Sequence, residues 1–179
     1  MTARRNTALA LLALLAFIFA GVSAAQPADL EPAPTTAATI DYPGFLEVSE
    51  DVMAVRATHL VSLDRFNEMA REPNTIILDT RSAEAFAMGH INGAVHLNFS
   101  DFTDEKLAEV VGDTDTRILI YCNNNFSDDI APIMLKRAPL ALNIPTFVNL
   151  YGYGYENVYE LADLVSIEDA EVNWVSSLS

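Results

Sequence analysis

Two short runs of β-branched and aliphatic residues, Thr75–Leu78 (TIIL) and Arg117–Tyr121 (RILIY), constrain this chain more than any other feature. Apolar runs of this length, without polar alternation, belong to strands covered on both faces, as in a parallel sheet. Helical patterns surround them. Ser62 precedes LDRFNEMARE, where Leu63, Phe66, Met69 and Ala70 recur at helical spacing until Pro73-Asn74 stops the run. Ser82 caps a short helix, AEAFAM, that ends at Gly89, and Asp104–Val111 forms another before Gly112-Asp113. Ala94–Leu97 and Val158–Leu161 read as further strands, and the apolar stretch Ile130–Leu142 as a helix. FLEV and VMAVRA, around Ser49-Glu50-Asp51, read as two short strands. Strands alternating with helices predict an α/β domain, a central mostly parallel sheet with helices on both faces.

Composition narrows the partners. With 179 residues, 51% of them hydrophobic, the chain suits one domain with a real core. Its formal charge of −15 argues against nucleic-acid backbones and anionic lipid. A single cysteine excludes an internal disulfide and a Cys-rich zinc site. His59 and His96 lack ligand spacing, so neither a metal nor another cofactor is expected.

The first 25 residues read as a secretory signal peptide. Arg4 and Arg5 precede the apolar run Ala8–Ala20, and GVSAA offers small residues for cleavage near Ala24 or Ala25. A membrane span needs about 20 apolar residues, more than this run supplies. Residues 26–44, rich in Pro, Ala and Thr, read as a flexible tether, and 45–179 as the folded domain, starting near Ile40 or Phe45. The expected location is periplasmic or secreted, with no membrane attachment after cleavage.

In open α/β sheets ligands collect beyond the carboxyl ends of the strands. Asp79-Thr80-Arg81 closes one buried strand and Cys122–Phe126 closes the other. A thiol at such a corner meets backbone N–H groups without helical partners and the positive end of a helix dipole, both of which favour the thiolate. The alternative is a buried cysteine acting as a small hydrophobe.

The stretch ILDTRSAEAFAMGHINGAVHLN resembles the first signature of the rhodanese-like family, with Asp79-Thr80-Arg81, Glu84, Phe86, Gly89-His90-Ile91 and Gly93-Ala94 in place. RILIYC resembles that family's strand into its active-site cysteine, and GYENVYEL its last strand, so the resemblance covers roughly Ser62 to Leu161. It implies a sulfurtransferase fold in which the Cys122 thiolate takes a sulfane sulfur from thiosulfate or a persulfide and passes it to an acceptor thiol or protein. On that footing Asn123, Asn124, Asn125, Phe126 and Ser127 form the substrate cradle through their backbone N–H groups, and Arg81 faces the pocket. Asp79 and His90 support the site structurally.

The loop C-N-N-N-F-S departs from the family pattern, which commonly places Gly in mid-loop and a basic or hydroxyl residue at the end. Asparagine tolerates positive φ, so three of them suit a tight cradle; ordinary turn chemistry explains them nearly as well. Asp128 and Asp129 follow at once and oppose both a thiolate and dianionic thiosulfate. Related phosphatases end a longer loop in Arg, but no Arg or Lys lies between Cys122 and Lys136. Two functions result: an exported sulfurtransferase working through a Cys122 persulfide, or a catalytically weak rhodanese-fold module that binds a partner or carries sulfur.

Overall fold

The computed structural model describes residues 38–177. The expected signal peptide at 1–25 and most of the tether lie outside the described residues. The chain runs α1 (Tyr42–Arg56), β1 (Leu60–Val61), α2 (Leu63–Ala70), β2 (Thr75–Asp79), α3 (Ala83–Met88), β3 (His90–Ile91) and β4 (Ala94–His96). It continues with α4 (Asp104–Val110), β5 (Arg117–Ile120), α5 (Asn143–Gly152), β6 (Val158–Leu161) and β7 (Trp174–Val175).

Five strands form one all-parallel sheet in the order β1-β6-β5-β2-β4, with Ile77 opposite Leu119 and Leu119 opposite Tyr159 at its centre. The apolar runs in β2 and β5 are the inner strands, as their lack of polar alternation requires. Strand alternation splits their side chains between two cores. Leu78, Ile118, Ile120 and Val158 meet Val52 of α1, Leu107 of α4 and Phe147 and Leu150 of α5 on one face. Ile77, Leu119, Tyr121 and Leu161 meet Leu63, Phe66 and Met69 of α2 on the other. The antiparallel pair β3–β7 lies outside the main sheet. Ser62 and Ser82 cap α2 and α3 by accepting from the Arg65 and Ala85 amides at 3.3 and 3.2 Å.

Two expected elements differ. The segment read as two strands, FLEV and VMAVRA, is α1, and it starts at Tyr42 within the expected tether. Asp41 caps it, accepting from the Gly44 amide at 3.0 Å, and Val48, Val52 and Val55 recur at helical spacing against the core. The stretch Ile130–Leu142 is an irregular arm with one short 3₁₀ turn at Ala138–Leu140, and the helix begins only at Asn143. Pro139 removes an N–H that an α-helix spanning the arm would need, and its ring would clash with the preceding turn.

Candidate functional site

Parallel pairing puts the carboxyl ends of β2 and β5 side by side, so Asp79-Thr80-Arg81 and Cys122 meet at one rim of the sheet. The Asp79 carboxylate is fully buried. It accepts from the Arg81 amide at 3.0 Å, from Arg81 Nε at 3.0 Å, from Arg81 Nη2 at 2.6 Å and from the Tyr121 hydroxyl. Arg81 Nη2 also donates to the Gly89 carbonyl at 2.6 Å, and Nη1 to Asn123 Oδ1 at 3.4 Å. The guanidinium lies over the Tyr121 and Trp174 rings, 5.6 and 5.4 Å from their centroids. Burial works against its charge, but the hydrogen bonds and charge of Asp79 prevail and raise its pKa. Burial first, then the Asp79 charge, pushes the Tyr121 hydroxyl well above the usual phenol range. Arg81 is therefore a clamped structural cation, only 4% exposed, that shows part of its surface to a neighbouring cleft.

His90 is buried at the start of β3. Its ring stacks on Phe86 with centroids 3.8 Å apart, and Nδ1 lies 2.7 Å from the Phe86 carbonyl oxygen.

Cys122 is 2% exposed. The backbone amides of Asn143, Asn124 and Leu142 favour its thiolate, but burial is the larger influence and the Glu160 charge adds to it, so the thiol pKa is raised. The expectation of a depressed pKa is thus reversed. Of the loop amides expected to cradle a persulfide, those of Asn125, Phe126 and Ser127 donate instead to the carbonyls of Cys122, Asn123 and Val165, at 3.0, 3.1 and 2.9 Å.

The loop itself forms a 3₁₀ turn at Asn123–Asn125, and none of the three asparagines has positive φ; Asp129, at +41°, does. Their side chains are tied to the protein. Asn123 Nδ2 donates to the Met134 carbonyl at 2.9 Å. Asn124 Nδ2 donates to the Lys136 carbonyl at 2.7 Å and its Oδ1 accepts from the Lys136 amide at 3.1 Å. Asn125 Oδ1 accepts from the Cys122 amide at 3.0 Å and from Asn143 Nδ2 at 3.2 Å, while its Nδ2 donates to the Leu161 carbonyl at 2.7 Å. Phe126 is fully buried, edge-on to Tyr121 and Trp174. The Ser127 hydroxyl donates to the Val165 carbonyl at 3.2 Å. Asp128 and Asp129 lie between the asparagine loop and the arm, outside any helix. The Asp128 carboxylate accepts from the Ser166 hydroxyl and the Ile167 amide, and that of Asp129 from the Leu135 amide.

Two hollows flank this loop. A cleft of about 440 Å³ lies between it and the arm, with Arg81, Asn123, Asn124, Met134, Lys136 and Leu142 among its walls; Cys122 is not among them. Cys122 borders a smaller hollow of about 270 Å³ beside Asn143, Glu160 and Arg56. There Arg56 Nε and Nη2 hold the Glu160 carboxylate bidentately, so the acid beside the thiol is already paired.

Sequence reasoning missed Tyr121, Trp174 and the amides at the start of α5. Tyr121, next to the cysteine, was visible as a polar tip on a buried strand. Trp174 reaches Arg81 from the far end of the chain, and no local pattern announces it. Among the described residues no cluster of three His, Cys, Asp or Glu side chains is poised to hold a metal.

These placements overturn the expected sulfurtransferase chemistry. A persulfide enzyme needs an accessible, activated thiol; here the thiol is buried, its pKa is raised, and three of the five expected cradle amides donate to backbone carbonyls instead.

Comparison with known proteins agrees with this picture of the fold. Residues 62–163 match the rhodanese-like domain. The chain is 23% identical over 122 residues to a tRNA uridine(34) hydroxylase of Legionella pneumophila (strain Corby), covering 64% of this chain and 42% of that protein. It is 23% identical over 103 residues to the enzyme of that name from Prochlorococcus marinus subsp. pastoris, covering 54% of this chain and 28% of that protein. The chain thus spans less than half the length of these curated relatives, whose names speak of tRNA hydroxylation. Among solved structures it resembles the Alr3790 protein from Anabaena sp. at a TM-score of 0.47 and 20% identity, over 66% of this chain and 81% of that one. The BH2092 protein from Bacillus halodurans gives 0.41 and 16%, over 65% and 74%. With the match spanning more than half of the chain, from the cap of α2 past the end of β6, this protein belongs to the rhodanese-like domain family.

Proposed function

We propose that the chain is a rhodanese-fold binding module that holds its ligand in the cleft between the asparagine loop and the arm, without sulfur chemistry at Cys122. The observation that carries this reading is that the larger cleft at the sheet rim is not lined by the cysteine, which is buried beside the smaller hollow. Asn123 and Asn124 brace the arm by hydrogen bonds to Met134 and Lys136, which gives the cleft a preformed wall. The walls combine apolar side chains such as Met88, Met134 and Leu142 with polar ones such as Ser82, Asn123 and Lys136, a mix that suits a small-molecule or peptide site. A net charge of −15 disfavours a tRNA ligand like that named for the relatives.

An NMR fragment screen on the wild type and on Cys122→Ser, with intact-mass analysis after thiosulfate or polysulfide treatment, tests the proposal. Expected are hits whose amide shifts map to Arg81, Asn123, Lys136 and Leu142 equally in both proteins, and no sulfur added to the wild type. Gain of one sulfur at Cys122, or hits mapping away from the cleft, would overturn it.

A further inference from the structure

Two exposed apolar surfaces differ in charge, and the second is the outer side of the arm that walls the cleft. α1 is anchored through Val48, Val52 and Val55, which pack on the core that holds α5. At 3.6 residues per turn, Tyr42, Leu46, Glu50 and Met53 fall on the opposite side of that helix. Leu46 is 61% and Met53 69% exposed, unusual for large apolar side chains. Glu47, Glu50 and Asp51 give this helix an acidic surface, and its one cation, Arg56, is already paired with Glu160. No ion pair involves Glu47, Glu50 or Asp51 among the described residues.

The second surface is the arm and the start of α5. Met134 is 56%, Leu140 68% and Ile144 46% exposed, with Leu135 beside them. Between these apolar residues stand Lys136 and Arg137. Among the described residues Arg56, Arg65, Arg81, Lys106 and Arg117 each have a carboxylate partner, whereas Arg71, Lys136 and Arg137 have none. Two adjacent unpaired cations are conspicuous in a chain of charge −15. One surface is apolar and acidic and the other apolar and basic, a match in both the desolvation and the charge that association requires.

We propose that the outward face of α1 in one copy of this chain docks on residues 134–144 of a second copy, the end of the arm and the start of α5. The helix cannot turn this stripe onto its own arm, because its opposite stripe is fixed in the core beside α5. A reciprocal pair of such contacts closes as a two-fold dimer, and a single repeated contact builds a chain of copies. The proposal does not depend on the cleft having a ligand.

The test is charge reversal followed by mixing, read by sedimentation equilibrium on the full chain, with circular dichroism confirming that every variant folds. Glu47→Arg/Glu50→Arg makes the helix basic; Lys136→Glu/Arg137→Glu makes the arm acidic. The wild type should associate, and each variant alone should associate about tenfold or more weakly, since like charges then face each other. Mixed in equal amounts, the two variants regain complementary pairs and should assemble with each other as the wild type does with itself. A wild type that stays monomeric up to millimolar concentration, variants that associate as well as wild type, or a mixture that fails to assemble would each overturn the proposal.

Discussion

Asn125 holds Cys122 from behind: its Oδ1 accepts the Cys122 amide at 3.0 Å, while its Nδ2 donates to the Leu161 carbonyl at 2.7 Å and so ties the loop to the neighbouring strand β6. This side chain is buried, and it accounts for the fixed position of the cysteine at the sheet rim. Replacing it with Ala strands the Cys122 amide, the Leu161 carbonyl and Asn143 Nδ2 without partners. Asn125→Ala should cost about 2–4 kcal/mol in chemical denaturation. Asn124→Ala, whose partners lie at the protein surface, should cost about 1 kcal/mol or less.

The enclosed thiol gives a pH signature. An unfolded cysteine ionises near pH 8.5, whereas burial holds Cys122 protonated to higher pH in the folded state. The native state therefore binds more protons across that interval. Its contribution to stability is complete below about pH 8.5 and is lost as pH rises through the folded value. Urea midpoints measured from neutral to alkaline pH should fall less steeply in Cys122→Ser than in wild type; equal slopes would count against the raised pKa. Iodoacetamide should label the native protein slowly and the urea-unfolded protein rapidly.

Arg81 stabilises the rim by neutralising a carboxylate that has no access to water. Arg81→Met keeps much of the side chain's bulk but leaves Asp79 buried without its counter-charge. The expected loss is about 3–5 kcal/mol, measured by denaturant unfolding. A neutral outcome would show that the Arg81–Asp79 pair does not hold the rim together.

Gly89 ends α3 directly beneath Trp174, and a Cβ there would collide with the indole ring. Gly89→Ala should displace the ring and destabilise by about 1–3 kcal/mol. As Trp174 is the only tryptophan, its fluorescence reports the displacement directly. An unchanged spectrum would show that the backbone yields instead.

The sequence by itself determined the sheet and most of its helices. TIIL and RILIY lack polar alternation and so had to become inner parallel strands; Ser62 and Ser82 start helices with side chains that accept from the amides three residues on. These signals are local, which is why they are legible in a single chain. Where local pattern was ambiguous it misled. The valines of α1 read as strand because β-branched residues favour extended chain, and only packing on α5 selects the helix. The arm reads as helix from its apolar content, yet Pro139 denies its middle a hydrogen bond.

The chemistry of Cys122 was decided at another level. Its place at the end of β5 follows from the sequence, but whether a thiol there is an anion depends on how many amides face it and how much water reaches it. The amides of Leu142 and Asn143 come from across a loop, and the enclosure comes from β6 and α5. Desolvation is a property of the whole assembled surface, so no motif encodes it, and here it outweighs the donors that the motif implied.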